Sequence, residues 1–61
     1  MKTGDLIRHR RTGHMALVIE VRVSQPKPTV RAYEYIDLVW VDDPAQDTAW
    51  AGHFEVISES R

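Results

Sequence analysis

Met15-Ala16-Leu17-Val18-Ile19-Glu20-Val21-Arg22-Val23 is the stretch on which the fold turns. Met15, Leu17, Ile19, Val21 and Val23 recur at every second position, which is the period of a strand and not of a helix. The intervening positions begin apolar, at Ala16 and Val18, and become charged at Glu20 and Arg22. This pattern predicts a strand buried on both faces at its start and on one face at its end. A strand of that length can bend from one layer of a small β structure into the next.

Working outward, Leu6-Ile7-Arg8-His9-Arg10 reads as a first strand entered from Gly4-Asp5. Thr12-Gly13-His14 supplies the turn after it, with Gly13 able to take a positive φ at little cost. Downstream, Ser24-Gln25-Pro26-Lys27-Pro28-Thr29 reads as a loop, because each proline removes a donor and disfavours helix before it. Val30 to Tyr35 resumes as an exposed arm. Ile36 to Val41 is a strand, with Ile36, Leu38 and Trp40 on one face and Asp37, Val39 and Val41 on the other. Asp42-Asp43-Pro44-Ala45-Gln46-Asp47 is a turn. Thr48 to Ala51 forms a short strand carrying Trp50, Ala51-Gly52-His53-Phe54 a 3₁₀ turn, and Glu55-Val56-Ile57 the last strand, with residues 58–61 expected to fray.

No window sustains apolar positions at helical spacing with a matching cap. The expected fold is therefore all-β, a small SH3-like barrel of about five antiparallel strands with a 3₁₀ turn before the last, formed as a single domain over residues 1–61. Closure is favoured because short strands left open expose unpaired edges.

With 61 residues and no cysteine, the chain has neither a disulfide nor a thiolate metal site to supplement its core. Domains of this size bury only about 60% of the surface their unfolded chains expose, so apolar packing or self-association must carry the stability. The hydrophobic fraction of 43% is that of a folded chain. The longest apolar run, Met15 to Ile19, has five residues against the roughly 20 of a membrane helix. Residues 1–31 hold seven Lys/Arg against Asp5 and Glu20 (+5), and residues 32–61 hold one against seven Asp/Glu (−6). If the halves interleave as neighbouring strands, these charges pair across the sheet; otherwise a basic face survives for an anionic partner.

Gly4-Asp5-Leu6-Ile7-Arg8, the Thr12-Gly13 turn, Leu17-Val18-Ile19-Glu20-Val21, Val39-Trp40-Val41-Asp42 and Phe54-Glu55-Val56-Ile57 together resemble small SH3-like barrel proteins of tailed bacteriophages. Notable among these are the proteins of phages of marine cyanobacteria and environmental sequences close to them. Ala16 stands where that family often has glycine. The resemblance implies the barrel fold, a phage setting with the host cytoplasm as location, and no assigned activity. Type II dihydrofolate reductases are a sibling barrel, but their Val-Gln-Ile-Tyr motif does not occur here.

Nothing in the chain assembles a catalytic motif. Its serines, Ser24, Ser58 and Ser60, lie in the loop and the tail, and its three glycines are too scattered for a phosphate cradle. His9, His14 and His53 form no local zinc motif. No cofactor and no metal are expected, and the chain reads as non-enzymatic. The candidate contact residues are Tyr33, Tyr35 and Trp50 with Asp43, a set suited to a cationic or proline-rich segment or to a subunit seam. The alternative is nucleic-acid binding through the basic first strand and turn, Arg8, Arg10, Arg11 and His14. Protein contact or self-association is the leading expectation, with no membrane partner.

Overall fold

A computed structural model describes residues 1–25 and 27–59. The loop expectation at Pro26 and the tail expectation at Ser60 and Arg61 lie outside the described residues. The chain forms β1 (Leu6–His9), β2 (Met15–Ser24), β3 (Tyr33–Trp40), β4 (Gln46–Trp50), one 3₁₀ turn (Ala51–His53) and β5 (Phe54–Ser58). All pairings are antiparallel, in one sheet of order β4-β3-β2-β1-β5. Among the described residues no helix is long and apolar enough to cross a membrane.

The sheet is open, with β4 and β5 as its two edges. Those edges are nevertheless joined by three residues, Ala51–His53. Five strands laid flat would hold their edges about 19 Å apart, whereas the four residue steps from Trp50 to Phe54 span about 14 Å at full extension. The sheet must therefore curl, and the short 3₁₀ link enforces it.

The interior lies on one face. Ile7, Ala16, Val18, Ile36, Leu38 and Phe54 are buried, and Met1, Val21, Trp40, Ala49 and Ala51 pack around them. Alternation accounts for β3, where Ile36 and Leu38 point inward. It does not account for β2. Val18 pairs with Leu38 and Val21 with Ile36, so Ile19 and Glu20 together oppose Asp37 alone. This is a β-bulge, and it changes which alternate positions face inward. Ala16 and Val18 face the core before it; Val21 does so after it.

The single open sheet corrects the expectation that β2 is buried on both faces at its start. Met15, Leu17 and Ile19 are 41%, 46% and 37% exposed. One curled sheet of this length has a single interior, and β2 gives it the smaller residues, Ala16 and Val18.

Two glycines set the first turns. Gly4, at φ 92°, occupies the third position of a turn closed by the Asp5 N–H donating to the Lys2 carbonyl at 3.1 Å. The Asp5 carboxylate is buried and accepts the Lys2 backbone N–H at 2.9 Å. Gly13, at φ 79°, closes the β1–β2 turn by donating to the His9 carbonyl at 2.9 Å. His9 Nδ1 accepts the N–H groups of Arg11 and Thr12 in the same turn.

A Cβ at Gly13 would meet nothing within 4 Å, so only backbone strain opposes a side chain there. Gly13→Ala is expected to cost about 1–2 kcal/mol. Asparagine tolerates positive φ better, so Gly13→Asn should lie between wild type and Gly13→Ala in thermal midpoint. Equal midpoints for the two variants would contradict this origin.

Candidate functional site

The sheet order places first-half strands β1 and β2 in the middle, flanked by second-half strands β3 and β5. The charge asymmetry is therefore offset in part by pairing. Arg8 meets Glu55, Arg22 meets Asp37 at 2.8 Å, the N-terminal ammonium meets Glu34 at 3.8 Å, and His14 approaches Asp42 at 4.0 Å. Each joins a group from residues 1–31 to a carboxylate from residues 32–61. Within β2, Arg22 also reaches Glu20 at 3.4 Å. It thereby offsets the opposition of Glu20 and Asp37 that the bulge creates.

This pairing engages part of the basic set proposed for nucleic acid. Arg8 Nε donates to Glu55 Oε1 at 2.9 Å, and Arg10 Nε donates to the Phe54 carbonyl at 3.2 Å. Arg11 and His14 are exposed in the turn. The Arg8 guanidinium, by hydrogen bond and by charge, holds the Glu55 carboxyl below its usual range; burial opposes this and Arg10 adds a smaller pull.

The aromatic set is only partly assembled. Tyr33 and Tyr35 project from the same side of β3, at 41% and 38% exposure. Trp50 opposes Tyr35 in register, yet its indole lies against the 3₁₀ turn, meeting the His53 ring edge-on at 5.0 Å. A Cβ at Gly52 would stand 2.5 Å from Trp50 Cζ2, so glycine is what lets the ring settle there. His53 in turn stacks on His9 at 5.8 Å and 16°.

Asp43 lies beyond the opposite end of β3, and Tyr35 and Trp40 are already separated by about 17 Å of strand. Asp43 therefore does not join the tyrosines. Instead it lines a pocket of about 250 Å³ with His14, Met15, Trp40 and Asp42. Trp40, expected in the core, straddles core and pocket: it is half-buried, packs on Phe54 at 5.8 Å and meets the His14 ring edge-on at 6.3 Å.

One surface feature escaped the sequence reading. On the face away from the core, Leu6, Leu17 and Val39 form one cross-strand row. Met15 stands beside that row, and Ile57 is 46% exposed in the irregularity where β5 pairs with Leu6. The Arg8–Glu55 pair flanks this apolar patch on one side and the Arg22–Asp37 pair on the other. Its signal in the sequence is that the larger apolar residues of β2 lie on the face opposite Ala16 and Val18, more than a single small interior can hold.

Among the described residues no three His, Cys, Asp or Glu groups converge as a metal site. Comparison with family models, with curated proteins and with solved structures returned no match.

Two measurements check this geometry. Because the folded Glu55 carboxyl titrates below the unfolded one, its stabilising effect is present above the ordinary glutamate range and lost as pH falls through the lowered folded value. Glu55→Gln should have a lower thermal midpoint than wild type at neutral pH and converge with it in acid; a constant gap would contradict the Arg8 contact. Gly52→Ala should displace the Trp50 ring, changing tryptophan emission with little loss of stability, and unchanged emission would show that the ring does not rest on Gly52.

Proposed function

We propose that this chain is a small non-enzymatic binding module of the SH3-like barrel kind, acting by protein–protein contact and pairing with a second copy of itself through its outer sheet face. The observation that carries the reading is the outward apolar row Leu6–Leu17–Val39, with Leu17 exposed between half-buried Leu6 and Val39 and with exposed Met15 and Ile57 beside it. Contiguous apolar patches of this kind mark contact surfaces.

A second copy fits this face for two reasons. The flanking charges are already neutralised within the chain, so a twofold-related copy meets no field of like sign. The core has six fully buried residues, so association adds the apolar burial that the fold lacks. The SH3-like reading is supported by the strand order, the long bulged β2 and the 3₁₀ link before the last strand. The phage kinship rests on the sequence pattern.

Nucleic-acid binding through Arg8, Arg10, Arg11 and His14 is the lesser reading. Arg8 is engaged by Glu55, and the net charge of the chain is −1, whereas phosphate binding draws on excess positive charge.

Sedimentation over a concentration series is expected to show wild type passing from monomer to dimer. Leu17→Lys should remain monomeric with an unchanged β circular-dichroism spectrum, because a buried leucine contributes about 1.5–3 kcal/mol per copy and a lysine there adds repulsion across the twofold. A wild-type monomer at the highest soluble concentration would defeat the pairing. Salt-sensitive retention on heparin by that monomer would favour nucleic acid instead.

A further inference from the structure

We infer that the pocket at the end of the sheet, between the β1–β2 and β3–β4 turns, is a receptor for one cationic side chain of a partner protein, with arginine the best fit. It is lined by His14, Met15, Trp40, Asp42 and Asp43 and has a volume of about 250 Å³. That is below the range of small-molecule sites and on the scale of a single long side chain.

Two backbone contacts build it. The Val41 N–H donates to the Met15 carbonyl at 2.9 Å, tying the two turns together. The Asp43 N–H donates to the Trp40 carbonyl at 3.3 Å, folding the chain back over the end of β3. Asp43 Oδ1 accepts the Ala45 N–H at 3.1 Å, which fixes its carboxylate at the rim. The indole is held from behind by Phe54 and from the side by His14. The result is an aromatic wall, a flexible apolar wall at Met15, and two carboxylates at the mouth.

Each part suits a guanidinium. Its planar face stacks on an indole, its N–H fork bonds carboxylate oxygens, and its methylene stem packs on a thioether. An anion would face Asp42 and Asp43 directly. A neutral apolar group would desolvate the two carboxylates without adding a donor to the Ala45 N–H and His14 ring already beside them. The two carboxylates at the mouth also bias the local field toward a cation. This pocket adjoins the Leu6–Leu17–Val39 row at Met15, but Trp40, Asp42 and Asp43 lie beyond it, and the inference does not require self-association.

The test is a titration of the full ¹⁵N-labelled chain with N-acetyl-arginine amide, using N-acetyl-citrulline amide as the neutral isostere. Arginine should give saturable shifts at the Trp40 indole N–H and at the amides of His14, Met15, Asp42 and Asp43. Citrulline should bind about tenfold more weakly, as when a cation–π contact and a charge-assisted bond are lost together. Trp40→Phe and the double variant Asp42→Asn/Asp43→Asn should each weaken arginine several-fold while keeping the wild-type spectrum elsewhere. Equal binding of arginine and citrulline, shifts confined to other residues, or no saturable shift at tens of millimolar would overturn the assignment.

Discussion

The structure depends on one break in register, the β-bulge that sets Ile19 and Glu20 together against Asp37. In an unbroken strand, Glu20 and Arg22 would follow Ala16 and Val18 onto the core face, carrying two charges into an interior of six buried residues. The extra residue instead returns Val21 to the core and sends Glu20 and Arg22 outward, where Arg22 bridges both Glu20 and Asp37. Local twist increases at a bulge, and that twist helps the long β2 serve a sheet that must curl to let three residues connect its opposite edges.

The same break completes a division of labour between the two faces that alternation begins. The inner face takes Ala16 and Val18 from β2, packed with Ile7, Ile36, Leu38 and Phe54. The outer face is left with Met15, Leu17 and Val39, bounded by paired charges. Strand order completes the pattern, since it sets β1 and β2 between β3 and β5 and lets Arg8 and Arg22 pair with Glu55 and Asp37. What remains on the surface is an apolar face in the middle of the sheet and an acidic aromatic pocket at its end.

Much of the fold was legible because its punctuation is chemical. Gly13 takes the positive φ that its turn requires, Asp42–Pro44 interrupts the chain between β3 and β4, and the alternation of Ile36, Leu38 and Trp40 sets the inner face of β3. The bulge carried no glycine or proline to mark it; its trace is the change from Val18 to Glu20, which equally describes a strand covered on both faces. Side-chain direction was the other gap. Tyr35 and Trp50 are neighbours in register, but the turn glycine Gly52 draws the indole away toward His53. The pocket around Trp40 needed two distant turns brought together by the Val41–Met15 hydrogen bond, a contact that spacing along the chain does not reveal.

Cross-strand nuclear Overhauser contacts between β2 and β3 test the bulge most directly. The account requires Val18 opposite Leu38 and Val21 opposite Ile36, with Ile19 and Glu20 both beside Asp37. Contacts that instead set Glu20 opposite Ile36 and Val21 opposite Tyr35 would mean a continuous strand, and the assignment of inner and outer faces would fall with it.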